Sequence, residues 1–191
     1  MKRHVLEPRP DWVTQTEALG WGFFATSAGE KGDPYWHEKV AYEFTAAEID
    51  LLEEATNELQ DRCLEAVAHV VGKPELLNRL GIPTSHHEHV RRSWERSDPS
   101  LYGRMDFAYL GGASPPKLLE YNADTPTVVL ETAVLQWQWL QAVKPGADQF
   151  NLLHEALLEN FQALKARIPA GETFYFAGVV FTCKTWPLKP A

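Results

Sequence analysis

Cysteine is nearly absent: Cys63 and Cys183 stand far apart, with no CxxC pair and no Cys/His cluster. That spacing gives neither a disulfide framework nor a zinc site, and it fits a reducing cytoplasm. Long apolar runs are missing too. None approaches the ~20 residues a membrane-spanning helix needs, and no apolar stretch follows the basic start Met-Lys-Arg-His as it does in export signals. The expectation is a protein neither exported nor anchored in a membrane. Positive charge is also short: 18 Lys and Arg against 26 Asp and Glu leave a net charge of -8. This balance argues against a nucleic-acid partner, since a phosphate backbone needs a basic face. A cationic or metal-escorted ligand suits it better.

What is present can fold. With 191 residues and 45% hydrophobic content the chain is able to bury a core in one or two domains. Seven Trp and thirteen Pro suggest aromatic-lined surfaces and irregular connections. Residues 1–44 show no sustained period, and they read as an irregular arm pinned by the aromatics of Gly20-Trp-Gly-Phe-Phe24 and Pro34-Tyr-Trp-His37. Thr45 and Glu48 then make a capping box ahead of Ile49, Leu52, Ala55, Leu59, Cys63, Ala66 and Val70. The spacing predicts a long helix ending at Val71, stopped by Gly72. Pro74 to Leu80 suits a short helix closed by Gly81, and Ser85 to Trp94 suits another. His86 and His89 on that helix invite a metal reading. With no third ligand nearby and no HExxH order, they are better read as an exposed helix start. Helices are also expected over Val128–Val143, capped by Thr127, and over Asp148–Arg167. Thr173 to Thr182 reads as a buried strand of the kind that opens an α/β unit. Residues 183–191 offer it no partner, and the architecture looks unfinished.

The chemistry concentrates in Tyr102-Gly-Arg-Met-Asp-Phe-Ala-Tyr109 and Leu118-Leu-Glu-Tyr-Asn-Ala-Asp-Thr-Pro-Thr127. Strand alternation puts Arg104 and Asp106 on one face, and Glu120 and Asn122 on one face. Gly111-Gly-Ala-Ser-Pro115 between them has the composition of a hairpin connection. A hairpin centred on Ala113 sets Asp106 opposite Glu120 and Arg104 opposite Asn122. Opposed carboxylates repel unless a cation answers them. Two carboxylates with an Asn carbonyl suit Mg²⁺ or Mn²⁺ rather than zinc, and a neighbouring Arg suits phosphate. The plain alternative is a surface hairpin whose polar face is solvated or ion-paired. Thr127 begins a helix directly after this turn, so free N–H groups there could receive an anion; ordinary capping by Asp124, Thr125 or Thr127 explains the same pattern.

Pro34-Tyr-Trp-His-Glu, Ala41-Tyr-Glu-Phe44, Tyr102-Gly-Arg-Met-Asp-Phe107, Pro116-Lys-Leu-Leu-Glu-Tyr-Asn-Ala-Asp-Thr-Pro-Thr127 and Gln136-Trp-Gln-Trp-Leu140 together resemble the glutathionylspermidine synthase family of ATP-grasp ligases. The resemblance implies an α/β or α+β fold, the pre-ATP-grasp-like N-terminal part of such a ligase, over residues 45–182. It implies activation of a carboxylate by ATP as an acyl phosphate, attacked by an amine to form an amide. The reference substrates are a glutathione-like acid and a polyamine-like amine. By the family pattern Arg104 steadies the phosphate and the tetrahedral oxyanion, Asp106, Glu120 and Asn122 hold Mg²⁺, and Thr125 and Thr127 lie near the thiol-peptide substrate. Family members continue well beyond this length with the ATP-binding half, and residues 183–191 look unlike that continuation. The expectation is an N-terminal fragment of the ligase, with a non-catalytic remnant that binds metal or a small peptide or amine as the alternative. A two-carboxylate hydrolase using Asp106 and Glu120 is a third reading with nothing further behind it.

Overall fold

The computed structural model describes residues 1–19, 35–124, 126–169 and 171–173. The expected strand from residue 174 onward, the tail 183–191, the Gly20–Phe24 aromatics and Thr125 lie outside the described residues. Among those described, six α-helices and two separate two-stranded antiparallel sheets make an α+β architecture. None of these helices is long and apolar enough to cross a membrane.

The segment expected to be an irregular arm carries regular elements. Strand β1 (Lys2–Val5) pairs with β2 (Val40–Glu43) in the register Lys2↔Glu43 to Val5↔Val40, and α1 (Trp12–Ala18) lies between them in sequence. Each strand is only 4 residues long, and local periodicity is silent on strands that short. Glu38 fixes the returning chain. Its carboxylate, 3% exposed, accepts from the Arg9 backbone N–H at 3.2 Å and from Arg9 Nε at 3.0 Å. A buried carboxylate is tolerated only with such a partner.

Helix α2 (Ala46–Val71) begins and ends where its caps predict. Thr45 Oγ1 accepts from Glu48 N at 3.3 Å, and Glu48 Oε2 accepts from Thr45 N at 2.9 Å. The other oxygen, Oε1, accepts from Gly112 N at 2.6 Å and meets the Met1 ammonium. One buried side chain, 4% exposed, thus joins the chain start, the helix start and the hairpin tip. Those donors, the Met1 ammonium foremost, hold the Glu48 carboxyl down at about 2. Helices α3 (Pro74–Arg79) and α4 (Thr84–Glu95) fold back on α2 and bury Val71 and Leu77.

Strands β3 (Arg104–Ala108) and β4 (Lys117–Asn122) form the second sheet. Tyr121 ties it to α2 by donating to Gln60 Oε1 at 2.6 Å. After the hairpin the chain becomes helical at Val129, passes through a π-helical turn over Glu131–Leu135, and continues as α5 (Gln136–Val143). Leu135, 2% exposed, centres a second core of Trp12, Leu19, Trp36 and Leu130. Helix α6 spans Leu153–Arg167, starting later than the expected Asp148. Asn151 accounts for the delay. Its side chain donates to Thr132 O and accepts from Leu153 N at 3.0 Å, so the chain before it is committed to the π-turn rather than to α6.

Candidate functional site

Alternation and turn composition place the hairpin as expected through its inner half: Arg104↔Asn122, Met105↔Tyr121 and Asp106↔Glu120. The ladder then slips. Phe107 pairs with Leu118 and Ala108 with Lys117, which leaves Leu119 as an extra residue in β4. The simple two-residue alternation therefore holds for the four polar positions and fails beyond them, and Leu119 is 69% exposed.

Arg104, Asp106, Glu120 and Asn122 share one face. Arg104 donates from Nε to Asp106 Oδ1 at 3.0 Å and from Nη2 to Asp106 Oδ2 at 3.1 Å, a two-pronged pair. Nη2 also reaches Glu120 Oε1 at 3.4 Å, and Asn122 Nδ2 donates to that same oxygen at 2.6 Å. The guanidinium is the cation that answers the opposed carboxylates. Its hydrogen bonds hold the Asp106 carboxyl below the usual range, and Asp106 in turn raises Arg104. These side chains remain partly open to water, and ion pairs of that kind add little to stability.

Thr127 joins them from the next segment. Its hydroxyl accepts from Arg104 Nη1 at 2.9 Å, so it serves the site and makes no helix cap. Tyr102 steadies the same turn by donating to Pro126 O at 2.7 Å. The expected second hydroxyl, Thr125, is outside the described residues. Two residues escaped the reading from spacing. Tyr35 donates to Glu131 Oε1 at 3.3 Å, and burial and then Glu131 raise its phenol against the opposing charge of Arg104. Tyr35 feels the charge of Arg104, and Glu131 is linked to it through Tyr35. Tyr35 stands in a quoted motif, whereas Glu131 enters only through the π-turn, which periodicity does not reveal.

The donor set bears on a metal. Two carboxylates and an Asn amide oxygen are hard ligands of the kind Mg²⁺ accepts alongside water and phosphate oxygens. No group of three or more His, Cys, Asp or Glu assembles among the described residues, so no closed all-protein cage exists there. The donor types suit an open magnesium site, and Arg104 already pairs with both carboxylates. On α4, His86 Nδ1 lies 3.1 Å from Ser85 Oγ and His87 Nε2 lies 2.9 Å from Ile82 O.

The unit is α+β, and its hairpin gathers an arginine, two carboxylates, an amide and a hydroxyl at one spot. Residues 3–184 match the family model described as glutathionylspermidine synthase pre-ATP-grasp, and the chain belongs to that family. It is 44% identical over 168 residues to a Haemophilus influenzae protein named "Putative acid--amine ligase", a match that covers 86% of this chain and 42% of that one. It is also 35% identical over 92 residues to the trypanothione synthetase of Crithidia fasciculata, covering 48% of this chain and 14% of that one. The chain thus spans less than half the length of either relative.

Proposed function

We infer that this chain carries the acid-activating face of an ATP-dependent carboxylate–amine ligase of glutathionylspermidine synthase type. The observation behind this is Arg104, which engages Asp106, Glu120 and Thr127 at once from the β3 strand. In such a ligase negative charge gathers as phosphate transfers to the acid and again as the amine attacks. A guanidinium held in place beforehand lowers the energy of both states without reorganising. Asp106 and Glu120 orient it, Thr127 limits its swing, and Asp106, Glu120 and Asn122 would hold Mg²⁺, which neutralises phosphate charge when bound. The acid would be glutathione-like and the amine polyamine-like. The membership of the family and the two ligase or synthetase relatives support this.

The test is release of ADP by the purified chain with ATP, Mg²⁺, glutathione and spermidine. Turnover that falls about 10²–10³-fold in R104A supports the reading. A second reading, a non-catalytic unit that binds metal or a small peptide without turnover, draws on the ion pairing that already satisfies the polar face of the hairpin. Absence of ADP release, together with a melting midpoint that Mg²⁺ or glutathione still raises, selects this second reading. If no ligand moves the midpoint, both fail.

A further inference from the structure

Val128 has φ of 70°, in the left-handed region where a β-branched side chain is a genuine outlier. Gly or Asn would take that conformation cheaply. Such a backbone persists only where the surroundings over-determine it, and three contacts do so here. Tyr102 Oη holds Pro126 O at 2.7 Å, Arg104 Nη1 holds Thr127 Oγ1 at 2.9 Å, and Thr132 N holds Val128 O at 3.0 Å. Pro126 is itself buried, and the π-turn begins three residues after Val128. The chain must leave β4, present the Thr127 hydroxyl to Arg104 and enter a helix within a few residues. The reversal that makes this possible falls on Val128.

We propose that Val128 is a positioning residue: its left-handed backbone aims the Thr127 hydroxyl at Arg104 and so fixes the guanidinium over Asp106 and Glu120. The role of Arg104 rests on the ligase reading, but the positioning is a property of the free chain. Its test needs neither ATP nor substrate, and so the two ideas fail separately. The Nε–H of Arg104 is followed by ¹⁵N NMR in the full chain. In the wild type it exchanges slowly with water. T127A speeds the exchange, T127S restores it, and V128P, whose ring fixes φ near about −65°, speeds it to the T127A level. V128N and V128G keep the slow exchange and raise the melting midpoint by about 2–4 °C, as relief of backbone strain predicts. T127A also removes one of the three contacts, and the Val128 H–N–Cα–H coupling constant then rises toward the extended value.

Slow Arg104 exchange in T127A overturns the proposal. So does a lower midpoint in both V128N and V128G, which stands as a measure should V128P fail to fold.

Discussion

Glu48 is a single carboxylate with three duties, and its titration reports on all of them. Its folded value of about 2 lies below the ordinary 4.5 of a free glutamate. A depressed carboxylate stabilises the fold at pH above the unfolded value, and that contribution drains away as pH falls toward the folded one. Unfolding followed by circular dichroism should therefore show stability lost between about pH 5 and pH 2, with E48Q losing this part of the slope and starting from a lower midpoint. Equal slopes in E48Q and wild type would refute the linkage. Arg104 gives a second check at this scale. R104A removes the first cause of Asp106's depression, so the Asp106 carboxyl should titrate at higher pH by ¹³C NMR.

Elements divide by how local their causes are. The start and stop of α2 were legible because a capping box and Gly72 act within one turn. The pairing of Asp106 with Glu120 was legible because alternation and a glycine-rich turn suffice to set it. The β1–β2 pair, the late start of α6 and the role of Glu131 were not. Each depends on a partner far along the chain or on a π-turn that breaks the 3.6-residue period. Gly103 leaves room for the Tyr121 ring that ties the hairpin to α2. A Cβ built there would lie 2.6 Å from Tyr121 Cε2, so the ring must move. G103A should break the Tyr121–Gln60 bond and loosen β3–β4 from α2, seen as faster amide exchange in β4 while α2 keeps its protection. In the other core, L135A should lower unfolding free energy by about 2–5 kcal/mol, the usual range for emptying a packed leucine site; a loss below about 1 kcal/mol would mean the site collapses freely.

At the scale of the whole molecule, few of the described apolar residues are buried. The buried apolar residues among those described are Val71, Leu77, Leu135 and Leu140, while Leu110 is 91% exposed and Leu152 76%. Among the described residues a buried apolar cluster centres on Leu135, and Val71 and Leu77 are buried where α2 and α3 meet. Exposed leucines contribute little to the fold they stand on. Replacing Leu110, Leu119 and Leu152 by lysine should shift stability by less than about 0.5 kcal/mol each and raise solubility. A larger loss would show that those side chains are covered in solution. Composition had indicated enough apolar content for a core, but composition does not tell how that content is divided between interior and surface.

The extra residue at Leu119 splits the hairpin into two lengths of independent parity. Inward of it, odd and even positions are assigned by the strands that carry Arg104 and Asn122; outward of it, they are assigned afresh by the connection around Gly111 and Gly112. A change of loop length at the tip can therefore be absorbed before it reaches Asp106 and Glu120. The register of Asp106 and Glu120 is thus set apart from the tip, which Glu48 holds through Gly112.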